Sequence, residues 1–139
     1  MNPAATARVA VSLTAITVSD LAAAAEFYVE GCGFDRSRDI STAEVDVVIV
    51  KAGEAGIQLV RPHAGGGPVD HGNALVKLVI AAGDVDGLVT RAVAHGGTIV
   101  APPAVNEAFG GVMIAMLRDP DGYLVEVVER ASLAAANTA

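Results

Sequence analysis

The sequence predicts an α+β fold in which a β-α-β-β-β module is followed by a second copy of itself. Two observations support this prediction. A strand-forming segment followed by an Asp-capped helix occurs twice, with the cap at Asp20 and again at Asp84. Each helix is closed by glycines, and Gly33 and Gly97 are, like the caps, 64 positions apart. One module cannot bury a sheet face alone, so the two modules must combine into a single domain over residues 1–139.

The first module is expected over residues 9–60, after a short loose tail. Arg8 comes late and Thr14 and Thr17 interrupt the apolar segment, so this N-terminus does not fit a signal peptide. The predicted helix covers residues 21–30 and is rich in alanine, a strong helix former. Strands are predicted from β-branched residues at 9–18, 44–51 and 57–60.

Residues 61–74 form the predicted linker, because they contain four glycines and two prolines and show no hydrophobic periodicity. The second module is expected over residues 75–129. Its helix is predicted at 85–95, and a loop containing Pro102 and Pro103 is predicted at 101–111. Strands are expected at 75–82, 98–100 and 112–117, and from about Tyr123 onward.

Composition limits the classes of partner. The 139 residues suffice for a buried core, and with 53% apolar but only 4% aromatic residues that core consists of Val, Ala, Leu and Ile. A formal charge of −7 argues against a nucleic-acid backbone or an anionic membrane as partner. No apolar segment approaches the ~20 residues of a membrane span. The single cysteine, Cys32, leaves no intrachain disulfide and no Cys-rich zinc site, which predicts a cytoplasmic protein.

The last strand contains the main candidate functional residue. An Asp-Pro-Asp-Gly turn at residues 119–122 starts this strand, and side chains alternate along it, so Leu124, Glu126 and Val128 share one face. A carboxylate in an apolar strand costs several kcal/mol if it is buried without a partner. Glu126 must therefore meet solvent, a cation or a metal.

Short motifs occur along the chain in a fixed order. They are residues 16–21, 26–28, 31–34, 84–86, 96–97 and 119–123, followed by Glu126. This ordered set resembles the vicinal oxygen chelate superfamily, the glyoxalase, bleomycin-resistance and extradiol-dioxygenase group, over about residues 13–129. The resemblance implies paired β-α-β-β-β modules whose sheets curl around a cavity, usually within a homodimer. It also implies, in metal-dependent members, two inward side chains from each module, one on its first strand and one on its last.

The resemblance places these four positions at Leu13, Gln58, Lys77 and Glu126, where the family carries His or Gln, Glu, His and Glu. Leu13 has no donor atom, and Lys77 can bind a metal only after losing a proton. An extradiol iron site and a glyoxalase-type divalent site are therefore both disfavoured, and no cofactor is expected. A divalent metal held in an unusual way, with His63 or His71 of the linker recruited towards Glu126, is the alternative.

In place of a metal, the Lys77 ammonium is expected to face Glu126 and Gln58. Three interpretations of this pair stay open. It can act in catalysis, if burial lowers the Lys77 pKa enough for proton transfer. It can orient a ligand carbonyl within an apolar cup, or it can be a structural ion pair. The cup is expected to be lined by Leu13, Ala15, Val79 and Leu124.

Two apolar side chains of the second module complete the candidate site. Residues 101–111 are interpreted as a lid, whose Phe109 either covers a ligand or plugs the edge of the core. Met113 is expected in the core or in the cavity wall, since methionine fills irregular space. His95, at the end of the second helix, is interpreted as a helix cap.

Two function classes follow from these residues and the resemblance. The first is a metal-independent small-molecule binding protein, similar to the superfamily's resistance proteins, which sequester a drug. The second is a lyase or isomerase acting on a small carbonyl compound, through Glu126 and Lys77 or through a non-standard divalent metal site. The absence of His at both first-strand positions favours the binding protein, and the scarcity of aromatic residues argues against a flat aromatic drug. A dimer whose cavity binds nothing is a third alternative.

Overall fold

The computed structural model describes residues 8–135, so the tail expected before residue 8 lies outside the described range. It confirms the predicted α+β class and contains two separate four-stranded sheets. The first sheet has the order β1-β4-β3-β2 and the second the order β5-β8-β7-β6. The strands are β1 (Leu13–Thr17), β2 (Asp35–Ser41), β3 (Val45–Ala52), β4 (Ala55–Pro62), β5 (Leu78–Ala82), β6 (Thr98–Asn106), β7 (Val112–Arg118) and β8 (Leu124–Glu129).

Helices follow the first strand of each module, as the sequence predicts. Asp20 and Asp84 are the N-caps, and their side chains accept hydrogen bonds from Ala23 N at 3.0 Å and Gly87 N at 2.9 Å. The helices are α1 (Leu21–Glu26), which continues as a π-helical turn (Phe27–Gly31), α2 (Val85–Ala94), and a short α3 (Ala131–Ala135) that the sequence did not predict.

The strand register confirms the internal duplication. The parallel pair of β1 and β4 places Ala15 opposite Gln58, and the parallel pair of β5 and β8 places Val79 opposite Glu126. These two pairs occupy the same place in their modules. The alignment of Gln58 with Glu126 that the sequence suggested is therefore correct to the residue.

The predicted elements differ from the structure in several strands. The strands predicted at 9–18 and 75–82 begin only at Leu13 and Leu78, and β4 extends to Pro62, into the predicted linker. β2 was not identified because nearly all of its seven residues are exposed and no apolar alternation marks it. The loop predicted at 101–111 is wrong over residues 101–106, which continue β6. Pro102 and Pro103 fit there because β6 is an edge strand and its register with β7 shifts between Ala101 and Ala104. The prediction holds over residues 107–111, where a 3-10 turn (Glu107–Phe109) and a bend through Gly110 and Gly111 separate β6 from β7.

The two modules pack against each other through their helices. The π-helical turn after α1 contacts α2, and Phe27, Tyr28 and Ala92 are fully buried. A Cβ atom at Gly97 would lie 2.7 Å from Phe27 Cε1 and 3.0 Å from Ala92 O, so this crossing requires glycine. One apolar cluster containing residues of both modules fills this interior.

The Asp-Pro-Asp-Gly turn also ties the second module to the first. Tyr28 Oη donates a 2.7 Å hydrogen bond to Asp119 Oδ2, while Asp119 Oδ1 accepts from the backbone N of Asp121 and of Tyr123, each at 2.9 Å. Tyr123 Oη donates to Thr17 O at 2.7 Å. Asp119 is only 4% exposed. The turn that the sequence identified as a strand start thus joins the two modules.

Packing through the helices leaves one face of each sheet uncovered within the chain. On β8, Val125 and Val127 are fully buried against the helices, whereas Leu124, Glu126 and Val128 keep part of their surface exposed. On β5, Val79 is 59% exposed. We call the uncovered side of each sheet its open face. Within residues 8–135, the longest helices are too short to cross a membrane.

Candidate functional site

The expected contact between Lys77 and Glu126 is present on the open face of the second sheet. Lys77 Nζ lies 3.0 Å from Glu126 Oε2, with side chains 33% and 15% exposed. Lys77 immediately precedes β5, and Val79, two residues later on the same face, lies opposite Glu126. The carboxylate of the last strand therefore meets a cation from its own module.

Apolar side chains surround this ion pair. Met116 of β7 lies opposite Glu126, and Ile114 lies opposite Val128, all on the open face. Glu126 has apolar neighbours on both sides, since Val79 lies opposite it on β5. The arrangement provides one fixed ammonium and one fixed carboxylate within an apolar surface. Such a surface can orient the polar end of a bound molecule or exchange a proton with it.

Leu13 and Gln58 lie on the open face of the first sheet, away from Lys77 and Glu126. Gln58 is opposite Ala15 on one side and Ile49 on the other. In the described part of the chain, no hydrogen bond joins Gln58 to Lys77 or to Glu126. The expectation that Lys77 faces Gln58 is therefore wrong within one chain, because the modules meet through their helices and their sheets stay separate.

Phe109 and Met113 lie outside the surface around the ion pair. Phe109 ends the 3-10 turn and is 66% exposed. Met113 is half-buried and packs against the core on the helix side of β7. The methionine of β7 that lies on the open face is Met116, opposite Glu126. Strand alternation, counted from buried Leu117, would have distinguished the two methionines in the sequence.

The three histidines are all engaged elsewhere. His63 Nε2 lies 3.1 Å from Asp46 Oδ1, and this hydrogen bond, with a second one to the Ala43 carbonyl, raises the His63 pKa. His71 Nε2 is 2.8 Å from Asp121 O, with its ring against that of Tyr123.

His95 caps α2, as the sequence predicted, although the helix ends one residue earlier than expected, at Ala94. Its Nδ1 lies 3.2 Å from Glu26 Oε2 of the other module. His95 thus adds a polar contact between the two modules at the helix crossing, beyond the cap that its position predicts.

The donor set does not fit a metal of the kind that the resemblance implies. Lys77 occupies one of the four positions as an ammonium paired with Glu126, and Leu13 occupies another. Among residues 8–135, no group of three or more His, Cys, Asp or Glu side chains converges. A cation at Glu126 would have to displace the Lys77 ammonium.

Two hollows lie near the ends of the sheets. One, of about 220 Å³, is formed by the glycine-rich linker around residues 64–70 together with Arg61 and the end of β1. The other, of about 170 Å³, lies beside Lys77 and is also lined by Leu124 and Arg118. Arg118 was not identified from the sequence. Arg118 lies two residues after Met116 on β7, so strand alternation puts both on the open face.

Comparison with known proteins gives a family match over most of the chain. The family model described as the Glyoxalase/Bleomycin resistance protein/Dioxygenase superfamily matches residues 10–127. Lactoylglutathione lyase GLX1 of Arabidopsis thaliana is 31% identical over 118 residues, which cover 81% of this chain and 41% of the plant protein. The chain thus spans about two fifths of the length of that curated relative.

Solved structures show the same fold. Glyoxalase I from Zea mays superposes with a TM-score of 0.79 at 26% identity, over 87% of this chain and 44% of the maize chain. A glyoxylase/bleomycin resistance protein/dioxygenase domain from Frankia sp. EAN1pec superposes with a TM-score of 0.73 at 20% identity, over 88% of this chain and 98% of the bacterial one. The two-module unit therefore occurs both within a longer chain and as nearly a whole chain.

Proposed function

Because the chain belongs to the glyoxalase/bleomycin resistance protein/dioxygenase superfamily, we propose that it is a metal-independent protein that binds and sequesters a small molecule. The main support for this proposal is the Lys77–Glu126 ion pair. The ammonium and carboxylate of this pair occupy positions where the family resemblance implies metal ligands. The carboxylate already has a cationic partner. The apolar surroundings suit an uncharged part of a ligand, and the pair suits its polar part.

A homodimer completes the proposed site. β1 and β5 are edge strands, and exposed valines cluster where each begins: Val11 is 84% exposed before β1, and Val76 is 75% exposed before β5. Unpaired apolar edges favour pairing with another chain. In the proposed dimer, β1 of one copy meets β5 of the other. The face carrying Gln58 then lies beside the partner's ion pair, which one chain alone does not achieve.

A thermal-shift screen of small carbonyl compounds and antibiotics tests the binding function. We expect a ligand to raise the melting temperature of the wild type, and Glu126→Gln to reduce that shift while the variant stays folded. The matched control is Glu54→Gln, an exposed carboxylate in the turn between β3 and β4, which should leave the shift unchanged. Equal shifts in the wild type and in Glu126→Gln would remove the ion pair from the site.

Elemental analysis tests the metal independence. Protein purified without chelator, and again after addition of Zn, Ni, Mn or Fe, is expected to hold no stoichiometric metal, because the pair leaves Glu126 no free charge. A near-stoichiometric metal that is lost in Glu126→Ala would contradict the proposal and favour an enzyme.

The second candidate function is a lyase or isomerase acting on a small carbonyl compound. The 31% identity with a plant protein named lactoylglutathione lyase favours it, as does the position of Glu126, a largely buried carboxylate able to accept a proton from a bound substrate. The test is to follow formation or loss of lactoylglutathione with purified protein. Activity that disappears in Glu126→Gln and persists in Glu54→Gln would support this candidate over sequestration.

The cytoplasm is the proposed compartment. Cys32 is buried, and burial raises the pKa of its thiol to about 12. The thiol is therefore protonated and unreactive at neutral pH. A single unreactive thiol is compatible with a reducing compartment, where disulfides are rare.

A further inference from the structure

The hollow beside Lys77 has an excess of positive charge in a protein whose formal net charge is −7. It measures about 170 Å³ and lies at the end of the second sheet where β7 stops and β8 starts. Lys77, Arg118 and His71 line it, and within the described residues no carboxylate side chain does. Its remaining walls are mainly apolar and include Leu75, Val76 and Leu124.

Arg118 carries the uncompensated charge in this hollow. Arg118 lies opposite Leu124 in the strand pair of β7 and β8, so both belong to the open face. Its Nη1 donates a 2.9 Å hydrogen bond to Gly122 O, a neutral acceptor that holds the guanidinium in place. Over residues 8–135, no carboxylate lies within ion-pair distance of Arg118. The other N–H groups of the guanidinium remain available for a ligand.

Lys77 adds further N–H donors beside Arg118 but no net charge, because Glu126 balances its ammonium. Its ammonium is paired with Glu126, which lies two residues along β8 from Leu124, roughly 7 Å at the usual rise of a strand. Because Glu126 is neutralised, it does not repel an anion placed near Arg118. Arg118, Leu75 and Val76 are exposed, so a ligand can reach the guanidinium directly from solvent.

The size of the hollow limits what it can hold. Pockets for whole drug-sized ligands measure roughly 300 to 1,000 Å³, so a hollow of about 170 Å³ accommodates one end group of a ligand. The planar guanidinium fork matches a carboxylate, with which it forms two parallel hydrogen bonds.

We infer that the hollow binds the carboxylate group of a small-molecule ligand, with Arg118 as the principal contact and Lys77 as the second. The apolar part of that ligand lies along the open face towards Val79 and Met116. This inference rests on the proposed function, that the open face binds a small molecule. It assigns the ligand to the class of carboxylic acids with an apolar body.

Calorimetric titration with hexanoate and hexanamide tests the inference, because the two compounds share a tail and differ in charge. We expect hexanoate to bind the wild-type protein about tenfold more tightly than hexanamide, since a hydrogen bond to a charged group is worth at least that factor. Arg118→Gln should abolish the preference, and Arg118→Lys should keep part of it. Arg91→Gln, which removes an exposed arginine of α2, should keep all of it.

The outcomes separate this inference from the proposed function. Equal affinity for the two compounds overturns the carboxylate site but leaves a small-molecule site intact. A preference for hexanoate that survives in Arg118→Gln, with the variant's melting temperature unchanged, overturns the assignment to Arg118. If neither compound binds, the carboxylate site fails, and the thermal-shift screen of antibiotics and carbonyl compounds decides separately whether the open face binds anything.

Discussion

At the scale of single residues, the ion pair on the open face contributes little to stability in itself. Lys77 is a third exposed, so its attraction to Glu126 is partly screened by water. We expect Lys77→Met to change the free energy of unfolding by no more than about 1 kcal/mol, because a methionine packs well against the apolar neighbours. Urea denaturation of the wild type and the variant measures this change.

Glu126→Leu is expected to be the more destabilising of the two changes, because it leaves the Lys77 ammonium in an apolar surface without its partner. The double variant Lys77→Met/Glu126→Leu should recover most of that loss. If Glu126→Leu alone is as stable as Lys77→Met, then the Lys77 ammonium reaches solvent freely in the absence of its partner.

Asp119 contributes to stability through its position between the modules. Burial raises its pKa, and the hydrogen bonds from Tyr28 and from the backbone of Tyr123 and Asp121 only partly oppose that rise. Since the folded pKa lies above the unfolded one, its contribution to stability is complete below the unfolded pKa, about 3.9, and is lost as pH rises through the folded pKa. At neutral pH, ionisation of buried Asp119 therefore costs stability relative to a neutral group that makes the same hydrogen bonds.

Asp119→Asn should keep the oxygen that accepts from the turn and remove this cost. We expect the stability of Asp119→Asn relative to wild type to increase as pH rises from about 3.5 to 7. Chemical denaturation of both proteins across that range measures it. Asp119→Ala is the control. It loses all three hydrogen bonds and should be less stable by about 2 kcal/mol or more at pH 7. A relative stability of Asp119→Asn that falls with pH would contradict the assigned direction of the pKa shift.

At the scale of elements, the crossing of the two helices is a tightly constrained contact. Gly97→Ala would place a methyl group 2.7 Å from the buried ring of Phe27 and 3.0 Å from the Ala92 carbonyl. Because neither neighbour can move without disturbing the core, we expect a loss of about 1–3 kcal/mol in the free energy of unfolding. Gly66→Ala in the linker is the matched control, since its added methyl group meets open space. Equal stability of the two variants would mean that the modules shift apart at little cost.

At the scale of the whole molecule, the open faces predict association of two copies. Val79→Asp places a carboxylate on the exposed edge strand β5 and next to Glu126, where burial by a partner would be costly. We expect the wild type to sediment as a dimer and Val79→Asp as a monomer at the same concentration. Val93→Asp, at an exposed valine of α2, is the control and should remain a dimer. A monomeric wild type at millimolar concentration would contradict the proposed completion of the site.

The sequence by itself determined the elements that depend on local patterns. The caps at Asp20 and Asp84, the glycine helix ends and the alternation along β8 each follow from neighbouring residues, so the duplication and the facing of Glu126 were predictable. The contact of Lys77 with Glu126 was predicted through the family resemblance, which places both residues at inward positions of one module, and the structure contains this contact.

Only the tertiary structure decided how the two modules meet. The apolar residues of the helices and of the sheets look alike in sequence, and burial can be achieved through either surface. Close packing around Gly97 and the buried hydrogen bond between Tyr28 and Asp119 select the helix side, although their residues are distant in sequence. Gln58 and Glu126 therefore occupy separate open faces, and Arg118 lies at the rim of a hollow that no local pattern reveals. Long-range packing, which sequence periodicity does not encode, accounts for this difference.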